Sequence, residues 1–520
     1  MKTTEAILER NNHNWFSNEI ENSLGSSYQE LSTKLKIAAD KHPERFTPLL
    51  HETQADTELL EKLGTVKRFL ELWTADPKFR DLVEEDVNLA FDRAGLDRRL
   101  VSPSDIRALY DEEYALECLD SETWVPPLIY SQYRNWCAEK VLHREHIRMT
   151  LATPSHAGHR AWRNRQMKRV LGQLGFGPFQ GIVHAPFAIE LSDGCSVGCW
   201  FCGVSAEKRM RDFPYAEENA ILWRGVLSAL RNQLGPAAAE GFNYWATDPL
   251  DNPDYEQFCL DMARILGRFP QTTTAQSQKH IERLRKLLPL SREHGCPINR
   301  FSILSLPILR KIHAAFTPGE LLHTELITQN MEANTMQSNS GRARNSNRLE
   351  KKSEFVNLDE NWREQPGTIS CVSGFLINMV TKTVKMVSPT PCDDVWPNGY
   401  FIYEEGTFND SADFGKLIAG MAARHMPEFP PMGKIARFRR DITPSKNERT
   451  LTLQSWGLLS NFELEPGLDR IADSLTKGDK TFARIIEEAE TLDHLPLEEA
   501  YVFLCHLFDQ GLLDEEPLKR

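Results

Sequence analysis

The sequence predicts an α/β chain with a parallel strand–helix middle, a helical region before it and a small helical unit after it. Three patterns carry that expectation. From about residue 183, short apolar runs alternate with helical runs at a spacing that suits βα units. Before about residue 180, apolar side chains fall at helical spacing. From about residue 447, three apolar stripes of helical period follow one another.

Residues 1–182 read as a helical N-terminal region. Between Thr65 and Ala94, Val66, Phe69, Leu70 and Trp73, then Phe79, Leu82, Val83 and Val87, recur at helical spacing. Asp76-Pro77 punctuates them. Proline suits the first turn of a second helix, and Gly95 suits its C-terminal cap. Ser102-Pro103-Ser104-Asp105 starts another helix. The basic stretch Arg160 to Arg169 reads as a solvated helix face.

Residues 183–405 carry the strand–helix alternation. The expected strands are 186–191, 242–247, 271–276, 300–305, 323–328 and 370–379. The expected helices are 215–234, capped by Gly235, then 253–267, 279–294 and 307–315. Six strands with helices outside predict an open, partial (βα)6 barrel whose active loops follow the C-terminal strand ends. Residues 330–352 are polar, Asn/Ser-rich and basic, and read as a long loop or lid. A hairpin follows, turning at Thr381-Lys382-Thr383.

Residues 406–446, rich in Pro, Arg and Lys from 425 onward, read as a linker. Residues 447–520 read as strand, three helices and short strand, the order of a small winged-helix-like domain. Its stripes are Leu468, Ile471, Ala472, Leu475; Phe482, Ile485, Ile486, Ala489; and Ala500, Phe503, Leu504, Phe508.

Composition narrows the function class. The chain has 520 residues, 61 Lys+Arg against 74 Asp+Glu, and a formal charge of −13. That surface repels phosphate backbones, so nucleic acid is not an expected partner. Hydrophobic residues at 41% and charged residues at 26% fit a core-forming protein. No apolar run of about 18 residues is present, so no membrane partner is expected. The opening MKTTEAILERNNHNWF lacks the basic tip and apolar core of a signal peptide, and the expected location is the cytoplasm. Ten cysteines are too sparse for a disulfide scaffold.

Three cysteines fall within eight residues, in Asp193-Gly194-Cys195-Ser-Val-Gly198-Cys199-Trp200-Phe201-Cys202-Gly203. The spacing is C-x3-C-x2-C, directly after an expected strand. Three thiolates can ligate three irons of a [4Fe–4S] cube, whereas an electron-transfer cluster normally takes four. The fourth iron is then open to a small molecule. Glycines 194, 198 and 203 let the backbone wrap the cube. The plain alternatives are a zinc knuckle or unrelated thiols. Zinc usually takes paired C-x2-C units, and no second pair occurs.

A C-x3-C-x-aromatic-C run after the first strand of a βα barrel resembles the radical S-adenosylmethionine (SAM) superfamily. The resemblance implies that Cys195, Cys199 and Cys202 hold a [4Fe–4S] cluster whose open iron chelates SAM. One-electron cleavage of SAM would then yield a 5′-deoxyadenosyl radical that abstracts hydrogen from substrate. Phe201 takes the place of the family's aromatic near the adenine. Where related enzymes carry a Gly-Gly-Glu-type motif, this chain has Thr247-Asp248-Pro249. Asp248 and Thr247 are candidates for SAM's amino group, with Asp-Pro turn chemistry as the plain alternative. Gln276, Ser302 and Ser305 end later strands and are candidates for SAM's carboxylate or ribose.

After residue 300 only Cys371, Cys392 and Cys505 occur, too few for two auxiliary cubes. The helical N-terminal region does not resemble a cobalamin-binding doubly wound domain. FAIELSDGCSVGCWFCGVSA, YWATDPLDNPDY and TISCVSGF together resemble the radical SAM peptide epimerases of proteusin maturation, over roughly residues 180–405. These convert L-residues to D-residues in a ribosomal precursor peptide. An amide enolate is costly, so inversion would proceed by loss of the Cα hydrogen atom and its return to the opposite face from a thiol. The resemblance points to Cys371 as that hydrogen donor. Cys392, in Thr390-Pro-Cys-Asp-Asp, is the runner-up. By spacing alone Cys371 is a small buried strand residue.

Such enzymes hold a leader segment away from the reaction centre. The 447–516 tail resembles winged-helix elements that take a leader as an added strand. Residues 65–110 weakly resemble a Nif11-like leader module, though a plain helical scaffold is the simpler reading. Arg342, Arg344, Arg348, Lys351 and Lys352 could steer an acidic leader, or form a solvated loop. The resemblance also implies an electron donor such as flavodoxin or ferredoxin. Two other classes stay open: another radical SAM enzyme that crosslinks peptides or modifies a small molecule, and a non-catalytic iron–sulfur or zinc module.

Overall fold

Apolar periodicity sets the first helices. In this computed structural model, which describes residues 33 and 48–517 apart from 53, 54, 122, 336–338, 353, 357–363 and 448, Thr57–Ala75 and Pro77–Arg93 are helical. Val66, Phe69, Phe79 and Val83 are buried. Asp76 ends the first helix and caps the second, its carboxylate accepting the Lys78 N–H at 3.1 Å. The opening sequence MKTTEAILERNNHNWF, on which the expectation of no signal peptide rests, lies outside the described residues. No helix among the described residues is long and apolar enough to cross a membrane.

Residues 157–174 depart from expectation. The helix Ala157–Leu174 buries Arg163, Arg165 and Arg169, which the sequence places on a solvated face. Each guanidinium is matched from elsewhere in the chain. Arg163 donates to the carbonyls of His184 and Arg148, both at 2.9 Å. Arg165 forks onto Glu515 at 2.7 and 2.8 Å and lies over the Phe508 ring. Arg169 donates to the Ser388 hydroxyl at 2.9 Å and the Pro389 carbonyl at 2.5 Å. Buried charge survives only with such partners.

The strands form two main sheets in the middle of the chain. The first has the order β1-β7-β8-β9: β1 Ala185–Glu190, β7 Val372–Asn378, β8 Thr383–Pro389, β9 Tyr400–Thr407. β1 and β7 are parallel, with Ala185 opposite Val372 and Glu190 opposite Asn378. The second is parallel, β4-β5-β6: Thr273–Thr274, Asn299–Ile303, Thr324–Thr328. Residues 242–248 bridge the two. Phe242 pairs in parallel with Ala188 as an isolated bridge, and the Tyr244 and Thr273 hydroxyls lie 2.8 Å apart.

Thus the expected strand at 242–247 is reduced to one bridge, and that at 271–276 to two residues. The strand expected sixth in chain order stands beside the first. Helices Glu217–Leu234, Tyr255–Leu266, Ile281–Glu293 and Leu306–Ala315 follow their strands as expected. One apolar core runs from Phe69 and Trp136 through Phe187 to Phe301 and Leu326, joining the N-terminal helices to the strands.

Residues 406–446 are not a plain linker. They hold the helix Ser411–His425, which buries Phe414, Ile418 and Met421. Ala436, Phe438 and Ile442 then enter the core of the C-terminal unit. That unit opens with an antiparallel meander, β10 Thr443–Lys446, β11 Thr450–Gln454 and β12 Leu459–Glu463. Helices Leu468–Lys477, Phe482–Asp493 and Leu497–Asp509 follow, burying Ile471, Ile485 and Leu504 among their stripe residues. Leu513 bridges back to Phe438.

Candidate metal centre and active site

The cysteine run leaves β1 through a short antiparallel hairpin, β2 Ser192–Asp193 on β3 Arg211–Asp212. Cys195 continues it: its N–H donates to the Glu207 carbonyl at 2.9 Å, and its carbonyl accepts Arg209 N–H at 3.2 Å. Gly194 has φ +81°, and a Cβ there would meet the Lys208 carbonyl oxygen at 2.5 Å. Only glycine lets the two arms close.

Cys195, Cys199 and Cys202 are all free thiols, half-buried. Burial pushes Cys195 up to about 11, against the pull of the Val197 and Gly198 N–H groups. Burial, and the negative charge that Cys195 and Cys202 would carry, push Cys199 up to about 12. The three sulfurs therefore share one electrostatic neighbourhood. A bound cationic centre would reverse that cost and deprotonate them. Cys202 Sγ accepts the Ala206 N–H at 3.2 Å, and such bonds to sulfur tune iron–sulfur centres. Gly198, at φ +65°, is exposed and has nothing within 4 Å of where a Cβ would stand, so its left-handed backbone rather than crowding calls for glycine. Among the described residues, no group of three or more His, Cys, Asp and Glu side chains is arranged to hold a single metal ion. A cube places each sulfur on a different iron, so its ligands need not converge on one point. Three half-buried thiols in one hairpin are the donor set that a cube with one open iron would take.

One buried carboxylate, Asp251, braces this loop, and a second, Asp248, lies three residues before it. Asp251 accepts both the N–H of Ser196, at 2.9 Å, and its hydroxyl, and takes Gln276 Nε2 at 2.8 Å. Asp248 accepts Thr274 Oγ1 at 2.8 Å, Ala275 N–H at 2.7 Å and Leu250 N–H at 3.1 Å. These three donors make Asp248 a tie between turn and strand, the plain alternative to a ligand role. Gln276 is likewise engaged, by Asp251 and by Lys279 at 3.2 Å. Thr247, Ser302 and Ser305 are half-buried, and their side chains make no hydrogen bond among the described residues. Phe201 stacks edge-on against Trp200 with centroids 5.4 Å apart.

The loop after β6 clamps the cysteine hairpin from the other side. Arg342 donates its backbone N–H to Cys202 O at 2.9 Å and its guanidinium to Cys199 O at 2.8 Å and Ala206 O at 2.6 Å. Arg344 donates to Cys392 O, and Lys352 to Asn330 O and Met331 O, both at 3.0 Å. Three of the five cations expected to face solvent or a leader therefore serve backbone carbonyls. Arg348 and Lys351 remain exposed.

Of the two donor candidates, Cys392 connects to this clamp. Cys392 is buried; its thiol donates to Pro397 O at 3.0 Å, and that carbonyl also accepts Gly341 N–H at 2.8 Å. Its N–H bonds Gly367 O at 2.9 Å. Cys371 immediately precedes β7, and its carbonyl accepts Ala185 N–H at 2.8 Å. Its side chain packs against the cluster of Met167, Leu171, Phe179 and Ile182. Burial pushes its thiol up to about 12, with the Arg300 charge pulling the other way. Two residues earlier, Ile369 abuts Gly203, where a Cβ would fall 2.7 Å from its Cγ1.

Asp251 and Glu190 carry no sequence expectation of a role, and Arg342, expected to face a leader or solvent, instead holds the cysteine hairpin. Glu190 ties β1 to its neighbours, accepting Ala246 N–H at 2.8 Å and Asn378 Nδ2 at 3.0 Å. Only the position of Asp251 in the Asp-Pro-Leu-Asp-Asn-Pro turn signalled a role.

No model of a known family matches the chain, and no solved structure matches it. It is similar to the uncharacterized protein y4wI of Sinorhizobium fredii, 35% identical over 461 residues, which cover 87% of this chain and 88% of that protein. At that identity and coverage, the chain belongs to the same family as y4wI.

Proposed function

We propose that the chain is a radical SAM enzyme that inverts L-residues to D-residues in a ribosomal precursor peptide. The observation that carries the reading is the C-x3-C-x2-C hairpin after β1, with the Ala206 N–H on Cys202 Sγ. Cys195, Cys199 and Cys202 would hold the cluster. When bound, a [4Fe–4S] cluster with SAM supplies one-electron chemistry able to take a hydrogen atom from a peptide Cα. The chain's own residues do the rest. Asp251 and Arg342 fix the loop from opposite sides. Cys371 keeps its hydrogen at neutral pH, because burial holds the thiol far from ionisation, and a neutral S–H is what a hydrogen-atom donor needs.

Peptide recognition would fall to the C-terminal unit. β12 pairs with β11 on one edge only. Beside it and helix Leu497–Asp509 lies a groove of about 1190 Å³, lined by Phe462, Leu468, Tyr501, Val502 and Phe503. It is away from the cysteine loop, as a leader site should be. An extended leader can add there as a further strand. Glu463, Glu465, Glu498 and Glu499 also line it, so the leader strand is basic and apolar rather than acidic. A flavodoxin- or ferredoxin-type protein would supply electrons, in the cytoplasm.

The test is co-expression with a candidate precursor encoded nearby, followed by turnover in deuterated water. Each inverted residue should gain about one mass unit, because the thiol hydrogen exchanges with solvent. Cys371→Ala should keep SAM cleavage and lose the mass gain. A loss of two hydrogens from the peptide points to a crosslinking enzyme instead. Unimpaired inversion by Cys371→Ala removes it from the donor role and leaves Cys392.

A further inference from the structure

The parallel sheet β4-β5-β6 has one face covered and one open. Asn299, Phe301 and Ile303, with Thr324, Leu326 and Thr328, are buried, whereas Arg300 and Ile327 are exposed and Ser302 and Glu325 half-buried. The open face carries a polar row set by register. Thr273 lies opposite Arg300, and Arg300 opposite Glu325. The row continues at both ends. On one side the Tyr244 hydroxyl stands 2.8 Å from Thr273 Oγ1, and Gln271 Nε2 donates to the same hydroxyl at 2.9 Å. On the other, Lys140 from the helix Leu128–His146 reaches Glu325 at 2.6 Å.

Charge along the row does not balance. Glu325 pairs with Lys140, and against the upward push of burial the charges of Lys67 and Arg300 also hold its carboxyl low, so three cations face one carboxylate. Arg300 sits at the centre of the row with no ion pair and no side-chain hydrogen bond among the described residues. A guanidinium offers five donors in a fixed fork that matches a carboxylate. This one is on a central strand, and its charge is felt at the Cys371 thiol and the Tyr244 hydroxyl.

We infer that the open row Tyr244–Thr273–Arg300–Glu325 is a carboxylate subsite, with Arg300 as its anchor. Resting on the peptide-modifying reading, the carboxylate is an acidic side chain of the substrate peptide near the residue being inverted. Arg300 is then a specificity-determining residue. SAM's own methionine carboxylate offers the same chemistry and is the competing source.

The test measures binding, not turnover, on the full chain carrying its reconstituted cluster. The probes are acetyl-Ala-Ala-Glu-Ala-Ala-amide, its Gln counterpart, and SAM, followed by ligand-observed NMR at low ionic strength. The Glu peptide should bind at least about tenfold more tightly than the Gln peptide, the loss expected for one charge-assisted hydrogen-bond pair. Arg300→Gln should erase that difference, and Arg300→Lys should keep part of it. Because Arg300 is exposed and unbonded, far-UV circular dichroism of both variants should match the wild type. Equal binding of the two peptides, or an unchanged preference in Arg300→Gln, overturns the inference. SAM binding that alone depends on Arg300 overturns the peptide assignment. Failure of the epimerase reading is seen separately, as absence of mass gain in deuterated water.

Discussion

Asp251 illustrates how one side chain can decide whether a metal loop holds its shape. Its carboxylate accepts three hydrogen bonds, two of them from Ser196 inside the cysteine run. Asparagine has nearly the same shape but offers an NH2 where an acceptor is required. Asp251→Asn would set donor against donor in a buried place, a loss of about 1–3 kcal/mol. The expected outcome is a chain that folds normally but retains less iron after anaerobic reconstitution. Iron content and chelator resistance equal to wild type would sink the role. The cysteines themselves were legible, because their signal is a local spacing. Asp251 was not, because its partner lies 55 residues away and nothing in the spacing says which of two turn carboxylates faces the loop. Arg342 hides for the same reason: a basic residue in a polar run looks solvated until a carbonyl 143 residues away claims it.

Elements were legible where periodicity alone fixes them. Helices Glu217–Leu234 and Tyr255–Leu266 fall within two residues of expectation at each end, since one face must be apolar. Strand neighbours were not legible. The pairing of β7 with β1 joins residues 187 positions apart, as at Ala185 and Val372, and no local pattern encodes it. The meander β10-β11-β12 was seen as one strand, its hairpin Ser455-Trp-Gly-Leu458 carrying only one glycine as a turn signal. The helix Ala157–Leu174 failed most clearly, because charge was taken for exposure. It joins the strands to the C-terminal unit through Arg165 and Arg169. Arg165→Ala removes a two-bond pair with Glu515 and the stacking on Phe508. Breaking a buried pair by deleting one partner costs about 3–5 kcal/mol. The urea midpoint, followed by circular dichroism, should fall accordingly; an unchanged midpoint would show that the joint does not depend on this pair.

At the scale of the whole molecule, the proposed chemistry and the proposed recognition fall on separate cores. The cysteine hairpin follows the core that joins the N-terminal helices to the strands, while the groove beside β12 belongs to the second core, around Leu451, Ile485 and Leu504. On the proposed function, one unit would bind the substrate and the other process it, so the two functions should be separable by mutation. Val502 is 64% exposed on the groove wall, and Glu498 lies one turn before it on the same helix. Neither supports the core, so Glu498→Lys with Val502→Lys leaves folding intact while reversing the charge of the groove. A basic leader strand should then bind at least about tenfold more weakly, the equivalent of 1.4 kcal/mol or more. SAM cleavage without peptide should be unchanged, because no groove residue touches the cysteine hairpin. The double variant should therefore produce 5′-deoxyadenosine at the wild-type rate in the absence of precursor, yet convert full-length precursor poorly. Wild-type leader affinity in the double variant would place recognition elsewhere on the chain.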